Sequence, residues 1–143
     1  MKLRLVAVGV LAVLWTTMAQ AHVKVRPAES KPGADETYTV VVPTEGKVST
    51  TSVELEAPRG VVILSVEGAS YELKKAGDHM TITWKTDIAP GEHREFVFVA
   101  RNPATAGEIA WQAHQHFADG AVTDWVEAPG SRRPGPVTKL TGQ

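Results

Sequence analysis

Alternation of apolar and polar positions runs through the chain from residue 22 onward. Residues 22–27 set Val23 and Val25 against His22, Lys24 and Arg26. In 36–43, Tyr38, Val40 and Val42 share a face, and in 51–57 Val53, Leu55 and Ala57 oppose Ser52, Glu54 and Glu56. Residues 79–85 turn Met80, Ile82 and Trp84 one way, and 94–100 do the same with Phe96, Phe98 and Ala100. In 109–117 the shared side carries Trp111, Ala113, Gln115 and Phe117. A period of two predicts half-buried β-strands. Residues 61–66 are apolar except for Ser65, which predicts a strand buried on both faces or one entering a loop. Residues 71–74 form a weak candidate and 121–127 the last strand. Turn residues fall between these runs. Asp119-Gly120 supplies the positive φ angles of a tight hairpin, and Ala89-Pro90-Gly91-Glu92 has the form of a type II turn. About eight short strands at roughly ten-residue spacing predict an all-β fold, an immunoglobulin-like antiparallel β-sandwich.

The start of the chain breaks this pattern. Met1-Lys2-Leu3-Arg4 is basic, residues 5–15 are apolar or small, and Ala19-Gln20-Ala21 has the small-x-small form of a cleavage site. Residues 1–21 therefore read as a signal peptide, which predicts export to the periplasm and a mature chain beginning at His22. Of the 143 residues, 122 then remain, enough for one domain, assigned to 22–128. The leader's apolar run of 11 residues is too short to span a bilayer. Residues 129–143 hold three Pro, three Gly and no aromatic residue, and predict a flexible tail in which Arg132, Arg133 and Lys139 are solvated.

Charge and cysteine narrow the chemistry. Without Lys2 and Arg4 the chain carries 13 basic and 16 acidic residues, a net charge of −3 that disfavours nucleic acid as a partner. The chain has no Cys, which removes disulfides, thiol nucleophiles and thiolate metal sites together. Phosphate-binding glycine loops, a zincin His pair and a nucleophile elbow are absent as well.

His22 stands out because cleavage after Ala21 would free its α-amine. One residue would then offer two nitrogen donors, the amine and ring Nδ1. With ordinary pKa values near ~8 and ~6.5, both can bind a metal around neutral pH. Nitrogen and carboxylate donors together favour copper(II). His114 and His116 project from one strand face, a spacing that suits a metal and describes an exposed strand face more readily. His79 and His93 stand beside turns as solvated residues, and Met80 is the one methionine after the leader. Trp84 and Trp111 fall on apolar faces as core residues. Trp125 has two phases open to it: outward with Val122 and Val126 in the core, or buried with the valines exposed.

Several fragments occur in a recognisable order. They are His-Val-x-Val-x-Pro at 22–27, Tyr-Thr-Val-x-Val-Pro-Thr-Glu at 38–45, Pro-Gly-Glu-x-x-Glu-Phe at 90–96, and Gln115 followed by Asp119-Gly120 and Trp125. In this set the chain resembles the YcnI-like domain family over nearly all of residues 22–127. The resemblance implies an exported β-sandwich that binds one copper(II) ion through a single-histidine brace. The amine and imidazole of His22 would form the brace, a Glu would add an oxygen donor, and Trp125 would lie beside the metal. Glu95 is the first choice for that Glu, with Glu45 and Glu92 as reserves. The implied role is copper storage, sensing or delivery to a partner, which includes other periplasmic copper chaperones, and not catalysis. Many family members carry a C-terminal membrane segment; the polar end of this chain predicts a protein without an anchor. A copper-dependent oxygenase is the enzyme alternative and would draw on a second His, His114 or His116. A metal-free interaction module is the third.

Overall fold

The structure, a computed structural model, describes residues 21–142, so the expected leader lies almost wholly outside the described residues. The strands are β1 (Lys24–Arg26), β2 (Glu29–Ser30), β3 (Asp35–Pro43), β4 (Thr50–Ala57), β5 (Val62–Val66) and β6 (Tyr71–Ala76). They continue with β7 (His79–Ile88), β8 (His93–Arg101), β9 (Gly107–Ala110), β10 (Gln112–Phe117), β11 (Val122–Trp125) and β12 (Val137–Leu140). One sheet has the order β1-β3-β8-β5, a second β11-β10-β4-β7-β6, and a small third sheet β2-β12-β9. All ladders between named strands are antiparallel except β12 with β2. The fold is an all-β, immunoglobulin-like sandwich, as the alternation predicts.

The core is built from the inward positions of the alternating runs. Tyr38, Val40 and Val42 of β3 and Phe98 and Ala100 of β8 are buried against Val53, Leu55, Ile82 and Trp84 of the facing sheet. Aromatic rings concentrate at its centre, where Tyr38 lies 5.5 Å from Phe98 and 5.1 Å from Trp111 between centroids. Such offset and edge-on pairs add to the apolar burial that holds the two sheets together.

Four details differ from the expectation. The predicted strand 109–117 is two strands. Trp111 interrupts it and donates its backbone N–H to Pro136, so β9 joins the third sheet and β10 the second. The apolar run at 61–66 is neither doubly buried nor a mere loop entry: β5 is an edge strand with Val62 and Leu64 exposed. The β10–β11 hairpin has positive φ at Gly120 alone, and Asp119 instead accepts the backbone N–H of Ala121. The segment read as a flexible tail returns to the body. Val137–Leu140 pairs with β9, Leu140 and Thr138 are buried, and Thr138 Oγ1 accepts the Trp111 indole N–H at 3.0 Å. Alternating Thr138 and Leu140 were available to read, but the Pro and Gly around them dominate the composition.

One margin of the sandwich brings the start of β1 to the end of β11. β1 is the edge of its sheet and β11 the edge of the other, and His22, two residues before β1, reaches Trp125 at the end of β11.

Candidate functional site

His22 enters the fold just before β1, where the alternation of residues 22–26 buries Val23 and Val25. Its ring lies 5.6 Å from the Trp125 ring between centroids, at 53°. Trp125 takes the second of its two phases. It is 7% exposed, while Val122 and Val126 are 46% and 40% exposed. Its neighbour across the ladder is Ala113, small enough to leave room for an indole. The indole N–H donates to Gln115 Oε1 at 3.1 Å. A buried Trp needs such an acceptor, and the adjacent strand provides one.

Gln115 also reaches the opposite wall. Its Nε2 donates to the Pro43 carbonyl at 2.8 Å and to Thr50 Oγ1 at 2.8 Å. Pro43 ends β3, and the chain turns there into Thr44 and Glu45. Thr44 exchanges backbone bonds with the Gly91–Glu92 turn, and its hydroxyl lies 2.7 Å from Thr50 Oγ1. The corner that carries Glu45 is thus fastened on both sides. The backbone N–H of Ala21 donates to Glu45 Oε1 at 3.2 Å, immediately before His22. His22, Glu45, Gln115 and Trp125 line one cavity of about 510 Å³, with Arg132 and Arg133 at its wall.

Among the three candidate carboxylates, the structure brings Glu45 to this cavity. The first choice, Glu95, stands elsewhere: on β8 it pairs with Arg26 at 2.6 Å and lines a separate hollow with Trp84 and Phe96. The sequence motif Glu95-Phe96 says nothing of this, because the distance from Glu95 to His22 depends on sheet order. Glu92 lines a shallow neighbouring hollow that also touches Glu45 and Ala21. His114 and His116 are not brought to the cavity. They project from the face of β10 opposite Gln115, where His114 Nδ1 lies 2.6 Å from Asp124 and its Nε2 3.3 Å from Glu56. His116 Nε2 lies 3.2 Å from Glu54. Burial pulls the His114 imidazole down, but the hydrogen bonds and charges of Asp124 and Glu56 outweigh it, and its pKa is raised above the ordinary value. Gln115 and the two arginines were not legible as site residues. Gln115 carried a weak signal, a polar residue on an otherwise apolar strand face.

Among the described residues, no three His, Cys, Asp or Glu side chains gather around a common point. The cavity instead joins one imidazole, one carboxylate and one indole to the backbone nitrogen end of β1. A β-sandwich with this cavity at its margin defines the class as a small immunoglobulin-like domain. Comparison with known proteins narrows it to a family. The family model described as a domain of unknown function (DUF1775) matches residues 70–140. The copper-binding protein CutI of Bacillus subtilis (strain 168) is 39% identical over 134 residues, covering 89% of this chain and 66% of that protein. The chain belongs to this DUF1775, or YcnI-like, family. An uncharacterised protein from Nocardia farcinica with an immunoglobulin-like fold superposes with a TM-score of 0.71 at 23% identity, covering 85% of this chain and 99% of that one. A non-cellulosomal cohesin from Archaeoglobus fulgidus does so at 0.53 and 15% identity, over 85% and 91%. These two likenesses concern the fold alone.

Proposed function

We propose that the protein is exported, is cut before His22, and then binds one copper(II) ion at the cavity beside Trp125. The ligands are the His22 amine and ring Nδ1, joined by the Glu45 carboxylate. The observation that carries the reading is the Ala21 N–H on Glu45 Oε1 at 3.2 Å, with the His22 ring against Trp125. A cut at that point would leave the His22 amine at the end of the chain close to the same carboxylate. The relative named as copper-binding supports the choice of metal. The donor set does so independently, because imidazole, amine and carboxylate without thiolate suit copper(II).

The chain's own residues supply three things. Glu45 contributes the negative charge that offsets the ion. Trp125, locked by Gln115, walls one side and restricts the approach of water and small molecules. Gln115 holds the wall and the Glu45 corner in register, as outer partners of metal ligands do. The role is storage, sensing or delivery by ligand exchange with a periplasmic partner.

Copper titration of protein beginning at His22 tests this. One equivalent binds, and the paramagnetic spectrum is nitrogen-rich. A single extra residue before His22 weakens binding at least tenfold, roughly the loss of one charged-ligand interaction. Glu45→Gln weakens it comparably, whereas Glu95→Gln and Glu92→Gln do not. Equal affinity in the extended protein, or a loss confined to Glu95→Gln, would sink the assignment.

A further inference from the structure

The loop after β11 carries two arginines that the copper reading leaves unused. It is a built loop. Glu127 donates its backbone N–H to the Arg133 carbonyl at 3.0 Å, accepts the Arg133 N–H on Oε1 at 3.1 Å, and accepts the Gly135 N–H on its carbonyl at 2.9 Å. Ser131 closes the tip on the Ala128 carbonyl through its backbone N–H and its hydroxyl. Gly135 then presses onto the core. A Cβ there would stand 2.9 Å from the Trp111 carbonyl and 3.4 Å from that of Trp125. The return path is therefore tight, and it holds Arg132 and Arg133 on the wall of the cavity shared by His22, Glu45 and Trp125.

Their charges are not matched from within. Arg26, Arg59 and Arg101 each have a carboxylate partner. Among the described residues, neither Arg132 nor Arg133 has a side-chain ion pair or hydrogen bond. Among the described residues, Glu45 is the one carboxylate on the cavity wall. With a divalent ion bound, two guanidinium groups and the ion would face that single negative charge. Guanidinium is the side chain best shaped to grip a carboxylate with paired hydrogen bonds. A cavity of about 510 Å³ has room for one beside the metal.

We propose that the cavity admits an external carboxylate that binds the copper ion and Arg132 and Arg133 together, so that copper arrives or leaves as a carboxylate complex. This rests on the copper reading above. The carboxylate can belong to a small chelating acid or to an acidic segment of a partner protein.

The test uses copper-loaded protein beginning at His22. Malonate and a capped tri-aspartate peptide are titrated separately at constant ionic strength, with nitrate as control, while the copper spectrum is followed. A saturable shift with either carboxylate and none with nitrate is expected, and which carboxylate acts identifies the source. The doubly substituted Arg132→Gln, Arg133→Gln protein should bind the carboxylate about tenfold or more weakly, the scale of a lost charged hydrogen bond. In the absence of carboxylate the same variant should bind copper no more weakly than wild type, since two like charges have been removed. Bound copper that ignores both carboxylates, or an Arg variant that responds like wild type, overturns this inference and leaves the brace standing. Failure to bind copper at all overturns both. Because both side chains are exposed, the variant is expected to keep the wild-type unfolding midpoint.

Discussion

At residue scale, Gln115 ties three parts of the cavity together. It is 2% exposed, yet its amide oxygen and both amide hydrogens are used, on Trp125, Pro43 and Thr50. A buried amide with every partner supplied fixes its neighbours in one arrangement, while an apolar residue of similar size strands the Trp125 indole N–H and the Pro43 carbonyl. Gln115→Leu should therefore cost about 1–3 kcal/mol in urea unfolding. It should also shift the emission of Trp125 against that of a Trp125→Phe reference. Unchanged stability and emission would show that the network is dispensable. At the same scale, Glu45 and Glu95 illustrate what local reading lacks. Both follow short motifs on strands or at strand ends. One meets the entry to His22 and the other meets Arg26, because β3 lies between β1 and β8.

At element scale, β10 divides its two faces by alternation. Gln115 turns inward to Trp125, while His114 and His116 turn outward to the carboxylates of β4 and β11. His114 links three strands through Asp124 and Glu56. Its pKa is raised in the folded protein, so the protonated form stabilises the fold. That contribution is fully present below the unfolded value of 6.5 and is lost as pH rises through the raised folded value. Wild type should lose stability across that window relative to His114→Gln, with solvent screening keeping the difference modest. Parallel stability profiles for the two proteins between pH 5 and 9, on the order of this window, would refute the link. The alternation of β10 was plain in the sequence. That carboxylates would flank both imidazoles required the neighbours of β10 to be β4 and β11.

At the scale of the whole molecule, the third sheet closes the sandwich. β12 pairs with β9 beside the buried Ile109 and supplies the acceptor for the Trp111 indole. The loop before it forms the arginine-bearing wall of the cavity. A chain ending at residue 128 loses both at once. It should unfold several kcal/mol more easily, since about 25 cal/mol per Å² of apolar surface returns to water and a buried indole N–H loses its partner. An unchanged denaturation midpoint in the shortened chain would mean that β12 is an ornament. The same deletion should abolish the carboxylate response of the copper site.

The sequence by itself determined the class of fold and the inward residues of β3, β4, β7 and β8, and it singled out His22 as a candidate. Those features are local: a period of two, turn residues, and a cleavage-like triplet are written within a few positions of one another. Tertiary structure alone decided which candidate carboxylate lines the cavity beside His22, the phase of Trp125, the linking role of Gln115 and the path of residues 129–142. Each of these is a distance between strands far apart in the chain, set by sheet order and by which polar groups must be satisfied when the two sheets close. Alternation gives each strand a buried face; it does not say which other strand that face will meet.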